Sequence, residues 1–125
     1  MVPDAPVKDG GREQPVPLAW RPTFHAIVAA FARGDHGLAT PIAAVAPVSK
    51  QTATQVAGYL ASYGEPLIDL PDDTWATSVA MWCGRHWDVH VDLWTTAGRS
   101  DMVLDARVTE TPGGYQFEVH AVYVP

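Results

Sequence analysis

The stretch from Trp87 to Thr95 alternates apolar and polar side chains, and it is the clearest periodic signal in the chain. The apolar positions hold Trp87, Val89, Val91 and Leu93. The polar positions beside them hold His86, Asp88, His90 and Asp92. A period of two is that of a β-strand with one face against a core and the other in water. The pattern therefore predicts a strand over about residues 86–96 with a charged outer face.

Three further strand-like runs cover about residues 75–82, 101–110 and 115–124. The segments between the four runs are short and contain glycine, as hairpin turns do. Consecutive hairpins place neighbouring strands side by side and antiparallel. The second half of the chain is thus predicted to form a four-stranded antiparallel meander.

The first half has the period of helices. Phe24, Ile27, Val28 and Phe31 repeat at helical spacing, which predicts a helix over residues 22–33 that ends before Gly34. Ser49 is a suitable N-cap for a second helix that stops at Gly64, and residues 40–47 allow only a short turn between prolines. We expect an α+β fold in which two or three N-terminal helices pack on one face of the sheet.

Composition sets limits on the domain organisation. The chain has 125 residues and is 47% hydrophobic, enough for one packed core without a metal or disulfide. Residues 1–18 are rich in proline and glycine, which predicts a flexible tail. The sequence therefore predicts that residues 19–125 form a single domain.

Charge and targeting signals restrict the class of partner. The net charge is −6 without an acidic run, which argues against nucleic acid and anionic membranes as partners. The single cysteine, Cys83, gives no sign of an oxidising compartment. We find neither a signal peptide nor a run of roughly 18 apolar residues that could span a membrane. A soluble cytoplasmic protein is expected.

The apolar faces restrict how the strands pair, because a slip of one residue would turn a whole strand over. A two-residue loop at residues 97–98 pairs Asp88 with Arg107. The same loop pairs His90 with Asp105. A four-residue loop would instead place two aspartates opposite each other, which is destabilising. We therefore adopt the two-residue loop.

The next turn, around residues 112–113, extends both pairs into rows across three strands. Arg107 then lies opposite Glu118, and Asp105 lies opposite His120. The outer face is predicted to carry the rows Asp88/Arg107/Glu118 and His90/Asp105/His120, together with Asp92 and His86. We also place Trp82 and Trp94 on this polar side.

These rows allow three interpretations. Alternating charges are usual on the wet face of an antiparallel sheet, where they fix register and discourage aggregation. Two histidines beside a carboxylate could also bind a divalent metal or act as an acid and base. An exposed tryptophan beside charged groups is typical of a surface that binds a partner.

Signals for other chemistry are weaker. Cys83 lies in a predicted hairpin loop near Arg85 and His86, surroundings that could lower a thiol pKa. A partly buried, inert cysteine is the simpler interpretation. The chain has no GxSxG, HExxH or CxxC motif and no phosphate-binding glycine loop. We predict no catalytic residue, no metal and no cofactor.

The C-terminal half carries a recognisable block: WDVHVDLWT at residues 87–95, GRSD at residues 98–101 and GYQFEV at residues 114–119. This block resembles a family of small bacterial domains of unknown function, and the resemblance covers about residues 20–125. It carries over no functional residue. In architecture alone, helices followed by a meander are similar to cone-shaped folds of the nuclear-transport-factor-2 type, which often enclose a small-molecule pocket. The predicted inward positions here are apolar, without a buried acid or base.

We therefore expect a non-enzymatic bacterial domain, accessory or immunity-like, that binds a protein partner or a second copy of itself. The predicted binding residues are Trp82, His90, Asp92, Trp94, Asp105, Arg107, Glu118 and His120. The alternative is a small-molecule-binding or metal-dependent enzyme that uses His90, Asp92, Asp105 and His120.

Overall fold

A single antiparallel sheet forms the centre of the computed structural model, which describes residues 6–125. Its strands follow chain order: β1 (Gln14–Pro15), β2 (Val79–Trp82), β3 (Trp87–Thr95), β4 (Gly98–Thr111) and β5 (Gly114–Tyr123). Two α-helices, α1 (Arg21–Ala32) and α2 (Lys50–Tyr63), and two 3-10 turns, Leu18–Trp20 and Asp72–Ala76, complete the secondary structure. The predicted α+β class is confirmed, with five strands in place of four.

Both helices end where local sequence signals place them. The Ser49 side chain accepts a hydrogen bond from the Thr52 amide and so caps α2. Gly64 ends α2 with a φ of 89°, a left-handed conformation that favours glycine. Gly34, with a φ of 90°, follows α1 in the same way.

The sheet face that carries the apolar residues of β3 packs against α1. Phe24, Ile27, Val28 and Phe31 are buried there, as their spacing predicts. Trp20, just before α1, makes edge contacts with Trp87 and Phe117 at ring distances of 5.3 Å and 6.1 Å. This aromatic cluster joins the helical layer to β3 and β5.

The N-terminal segment differs from the predicted tail over residues 1–18. Residues 14 and 15 form β1 and pair with β2, and Val16 is fully buried. The Trp87 indole donates a hydrogen bond of 3.1 Å to the Val7 carbonyl. Composition pointed to a tail because Pro15 cannot donate to a ladder, but proline is tolerated in an edge strand. Residues 1–5 of that predicted tail lie outside the described residues.

The strand predicted over residues 75–82 is shorter than expected and begins at Val79. Residues 72–76 instead form a 3-10 turn that docks on β3 through hydroxyl groups. Thr74 Oγ1 donates to the Asp92 carbonyl at 2.6 Å, and the Asp92 amide donates to Ser78 Oγ at 2.9 Å. These hydrogen bonds fix residues 74–78 against β3, so the segment that was predicted to begin the strand forms a turn instead.

The hairpin of β3 and β4 contains the predicted pairs Asp88 with Arg107 and His90 with Asp105. Its two-residue loop is residues 96–97, one position earlier than predicted, because Thr95 pairs with Gly98. A bulge between Asp92 and Trp94 absorbs the resulting change of register. These two central pairs between β3 and β4 are therefore those expected, although the turn is not.

The hairpin of β4 and β5 holds a second bulge. Arg107 pairs with Glu118, as predicted. Between Asp105 and Ala106 the register shifts, and Asp105 pairs with Ala121. The prediction that His120 lies directly opposite Asp105 is therefore wrong: His120 is the additional residue of the bulge.

Side chains and a loop cover the free edge of β5. The amide of Gln55 pairs with both backbone groups of Val122, donating at 2.7 Å and accepting at 3.1 Å. Residues 44–46 exchange two hydrogen bonds of 2.8 Å with Phe117. The prolines at positions 41 and 47, which were expected to leave a short turn, thus flank a segment that continues the sheet by one bridge.

We expect Val16→Ala to lower the free energy of unfolding by about 2 kcal/mol, because it removes two fully buried methyl groups. Chemical denaturation of the purified protein measures this change. Val7→Ala is the matched control, since Val7 is 40% exposed and should change stability by less than about 0.5 kcal/mol. A neutral Val16→Ala would instead support the flexible tail.

Candidate functional site

The surface of the sheet opposite the helices, called the outer face below, carries the predicted binding residues. Direct strand pairing places these side chains together: Val79, Met81, Asp88, His90, Asp92, Val103, Asp105, Arg107, Glu118 and Tyr123. Within residues 6–125, both helices pack on the other face. The outer face thus combines carboxylates, imidazoles and apolar side chains without a covering layer from the described residues.

The pair His90 and Asp105 lies at the middle of this face. His90 Nε2 and Asp105 Oδ1 are 3.6 Å apart, and the Asp105 side chain is only 28% exposed. Burial raises the pKa of the Asp105 carboxyl, while the nearby imidazoles of His90 and His120 oppose that shift. Asp105 is therefore a carboxylate whose loss of water is incompletely compensated by its neighbours.

The imidazole of His120 turns to the carboxylate on its own strand. His120 Nε2 lies 2.6 Å from Glu118 Oε1. The bulge removes His120 from the position across from Asp105, so the two predicted histidines do not bracket that carboxylate in one row. An acid and base pair made of His90 and His120 would need a different arrangement.

The Asp92 side chain is engaged by the preceding connection. It accepts a short hydrogen bond from the Thr77 hydroxyl, and its backbone amide donates to Ser78. Asp92 pairs with Val103 across the strands. The carboxylate therefore remains on the outer face but also anchors the entry to β2.

The two predicted tryptophan anchors have different outcomes. Trp82 pairs directly with Trp87, and paired residues of antiparallel strands point to the same side. The two rings lie 4.5 Å apart, so Trp82 belongs to the helix side of the sheet. Trp94 is partly buried, and its Nε1 is buried without a hydrogen bond among the described residues. The predicted placement on the polar side is thus wrong for Trp82, whereas Trp94 follows the alternation of β3 and lies on the same side as His90 and Asp92.

Arg107 is a central cation of the outer face, in register between Asp88 and Glu118. Its Nε is buried and has no hydrogen-bond partner in the described part of the chain. Carboxylates outnumber guanidinium groups on this face, so its charge is negative when the histidines are neutral.

An apolar spot lies beside the charged rows. Val103 is 5% exposed and pairs with Tyr123, whose ring is 6.2 Å from the His90 ring. Asp92 pairs directly with Val103, and Asp105 follows Val103 by two residues on β4, so both carboxylates border this spot. An apolar centre with a charged rim is the usual anatomy of a protein-binding surface.

A cluster that the sequence analysis did not assemble lies at the β2–β3 turn. Cys83 Sγ donates to Asp88 Oδ2 at 3.2 Å, and His86 Nε2 lies 3.1 Å from Asp88 Oδ1. The ligand atoms of all three residues lie within 4.8 Å of one another. The sequence signal was the pattern Cys-x-x-His-x-Asp around a hairpin turn, which places its ends on one side.

The hairpin cluster does not activate its thiol. Burial and the hydrogen bond to Asp88 raise the pKa of the Cys83 thiol. Asp88 lies between the cysteine and the histidine, so the imidazole is not placed to take the thiol proton. A nucleophilic role for Cys83 is therefore disfavoured. Among the described residues, these three side chains, and not His90 with His120, form the group that could hold a metal ion.

Clefts in the surface lie away from the outer face. One, of about 120 Å³, is apolar and is lined by residues of the loop before α2, including Ile42 and Val45. Another, of about 290 Å³, lies between α1 and α2 and includes His36 and Glu65. The first is well below the roughly 300–1,000 Å³ typical of small-molecule sites, and the second is close to the lower limit of that range. The candidate site is consequently an open surface rather than a pocket.

We expect Asp105→Asn to raise the free energy of unfolding near neutral pH. Because the folded-state pKa of Asp105 is raised, the folded protein holds this proton more tightly than the unfolded chain does. The unfolding free energy therefore falls as the pH rises from the unfolded value of about 3.9 through the folded-state pKa. Asparagine removes that penalty, so the stability gain should be larger near pH 7 than near pH 3.

Urea denaturation at both pH values measures the difference, with Asp69→Asn as the matched control on an exposed aspartate. The control should change stability by less than about 0.5 kcal/mol at either pH. A loss of stability in Asp105→Asn near pH 7 would mean that its neighbours fully compensate the buried charge.

Comparison with known proteins places the domain in a family. No helix within residues 6–125 is long and apolar enough to cross a membrane. Searches of curated proteins and of solved structures found no match. A family model described as a domain of unknown function (DUF7668) matches residues 28–125, which include the outer face and the hairpin cluster. The predicted membership of a small-domain family of unknown function is confirmed: the chain belongs to the DUF7668 family.

Proposed function

We propose that this domain is a non-enzymatic binding module that docks a basic segment of a partner protein on its outer face. The observation that carries the proposal is Asp105, a partly buried carboxylate with a raised pKa on a face that the described helices leave uncovered. We further propose an accessory or immunity-like role in the cytoplasm of a bacterium.

A partner cation would complete the environment of Asp105. In the free protein the His90 imidazole lies 3.6 Å from the Asp105 carboxylate, which is longer than a hydrogen bond. A lysine or arginine arriving from a partner would supply a full charge and direct donors to a carboxylate that has already lost part of its water. Little further desolvation would be needed at this carboxylate.

The apolar spot suits the rest of such a side chain. Lysine and arginine bury their methylene stems on apolar surface while the charged head meets a carboxylate. Tyr123, which pairs with the buried Val103, offers partly exposed apolar surface, and Asp92 and Asp105 offer the acceptors beside it. Glu118 and the rest of the charged row form the rim.

Long-range electrostatics favour the same class of partner. The chain carries a net charge of −6, and the outer face adds carboxylates on neighbouring strands. Complementary fields accelerate association with a basic surface and make it sensitive to salt. The proposed complex should therefore form quickly and weaken as the ionic strength rises.

A second copy of the chain is the other occupant that we consider. The guanidinium of Arg107, in register between Asp88 and Glu118, could meet a carboxylate of the opposite copy, and two-fold symmetry would repeat the contact. The remaining alternative, a small-molecule or metal-dependent enzyme using His90, Asp92, Asp105 and His120, has less support because these groups lie on an open surface and do not converge.

Two charge-reversal variants separate the outer face from the rest of the surface. Glu118→Lys changes the rim of the outer face, and Glu65→Lys makes the same change at an exposed residue beside α2. Partner recovery from a lysate of the source organism, quantified by mass spectrometry, is compared for the wild type and both variants. We expect Glu118→Lys to reduce recovery of the specific partner at least about tenfold, a loss of about 1.4 kcal/mol. Glu65→Lys should leave recovery unchanged.

The charge-reversal variants, together with His90→Ala and His120→Ala, distinguish the other possible occupants of the outer face. A dimer that dissociates in Glu118→Lys during sedimentation would identify the partner as a second copy. Equal recovery from both variants would contradict the outer face as the docking surface. A ligand whose binding is lost in His90→Ala and His120→Ala, without any protein partner, would favour the enzyme alternative.

A further inference from the structure

The β2–β3 hairpin brings three different metal-binding side chains to one point. We propose that Cys83, His86 and Asp88 form a binding site for zinc or a similar borderline-soft divalent cation, with a fourth coordination position open to solvent. This inference rests on the hairpin geometry and is independent of the proposed docking function.

The spacing of the ligand atoms is close to what a zinc ion requires. Zinc bonds to sulfur, imidazole nitrogen and carboxylate oxygen are about 2.0–2.3 Å long, so tetrahedral ligands lie roughly 3–4 Å apart. The two contacts of Asp88 measure 3.2 Å to sulfur and 3.1 Å to nitrogen, and the largest separation within the group does not exceed 4.8 Å. Small rotations of the side chains would close the set around an ion.

The backbone that carries the ligands is fixed by the sheet. Met81 pairs with the ligand residue Asp88, and Trp82, which precedes Cys83, pairs with Trp87, which follows His86. The Cys83 amide donates a hydrogen bond of 2.8 Å to the His86 carbonyl and closes the turn. Gly84 adopts a φ of 90°, which allows this tight reversal. The site is therefore preorganised, and ion binding need not order a loop.

The donor set also fits the charge of the ion. On binding, the Cys83 thiol would release its proton to solvent, and the imidazole of His86 would bind through neutral Nε2. The thiolate and the Asp88 carboxylate then balance the two charges of the cation. The hydrogen bonds that Cys83 and His86 make to the Asp88 carboxylate would be replaced by bonds from all three residues to the ion.

One neighbouring charge and the number of ligands define the limits of the site. Arg107 lies across from Asp88, so its positive charge opposes a cation but favours the thiolate. Cys83 is exposed, and the described residues supply three ligands rather than four. A closed structural zinc site has four protein ligands, whereas three leave a position for water or for a group of another molecule.

The test uses the purified full-length protein without an affinity tag, titrated with Zn²⁺ and, separately, with Co²⁺. We expect one ion per chain, release of a proton on binding, and a thiolate-to-cobalt charge-transfer band in the absorption spectrum. Cys83→Ser should abolish that band. His86→Ala and Asp88→Asn should each weaken binding of Zn²⁺ at least about tenfold, since loss of a mere supporting partner already costs tenfold or more.

His120→Ala is the matched control, because His120 also lies beside a carboxylate on the same sheet, at 2.6 Å from Glu118, but without a cysteine. It should bind both ions as the wild type does, and thermal unfolding confirms that each variant is folded. The proposal is overturned if the wild type binds neither ion at roughly 0.1 mM. It is equally overturned if Cys83→Ser keeps the affinity of the wild type.

Discussion

The packing of the apolar face of β3 against α1 is the contact on which the rest of the structure depends. Every inward side chain of β3 is buried, and Trp87 joins the aromatic cluster around Trp20. Because β3 pairs with β2 on one side and β4 on the other, its orientation decides which face of each neighbour meets the helices. The core buries the apolar residues that alternate along β3, and the charged residues between them therefore form the acidic outer face.

The sequence predicts well where one physical rule dominates. Helical spacing and capping residues located α1 and α2, and avoidance of like charges selected the pairs of Asp88 and His90 with β4. The rule fails where a bulge inserts residues, since alternation alone cannot reveal one. His120 left its predicted row for that reason, and Trp82 was misplaced because β2 is too short to carry a clear period.

Sequence patterns do not predict the structure of the N-terminal segment or the assembly of the hairpin cluster. A proline-rich segment was predicted to be flexible, yet a single buried valine and a two-residue strand hold it to β2. At the hairpin, Cys83 and His86 were considered with Arg85, whereas the close third group is Asp88. Residues that are several positions apart on one extended strand lie too far apart to share a metal ion. Cys83 comes close to His86 and Asp88 because the chain reverses between β2 and β3. Such sites require the three-dimensional pairing to be known.

The covered edges of the sheet restrict how any macromolecule can bind. At one edge, Gln55 occupies the backbone groups of Val122, and residues 44–46 occupy those of Phe117. At the other edge, β1 is only two residues long and includes Pro15, which has no amide proton. At these positions an incoming peptide therefore finds backbone groups that are already occupied or, at Pro15, lack an amide proton, so recognition by strand addition is blocked there. Selectivity must come from side chains that project from a surface, and the same closure protects the domain against edge-to-edge aggregation.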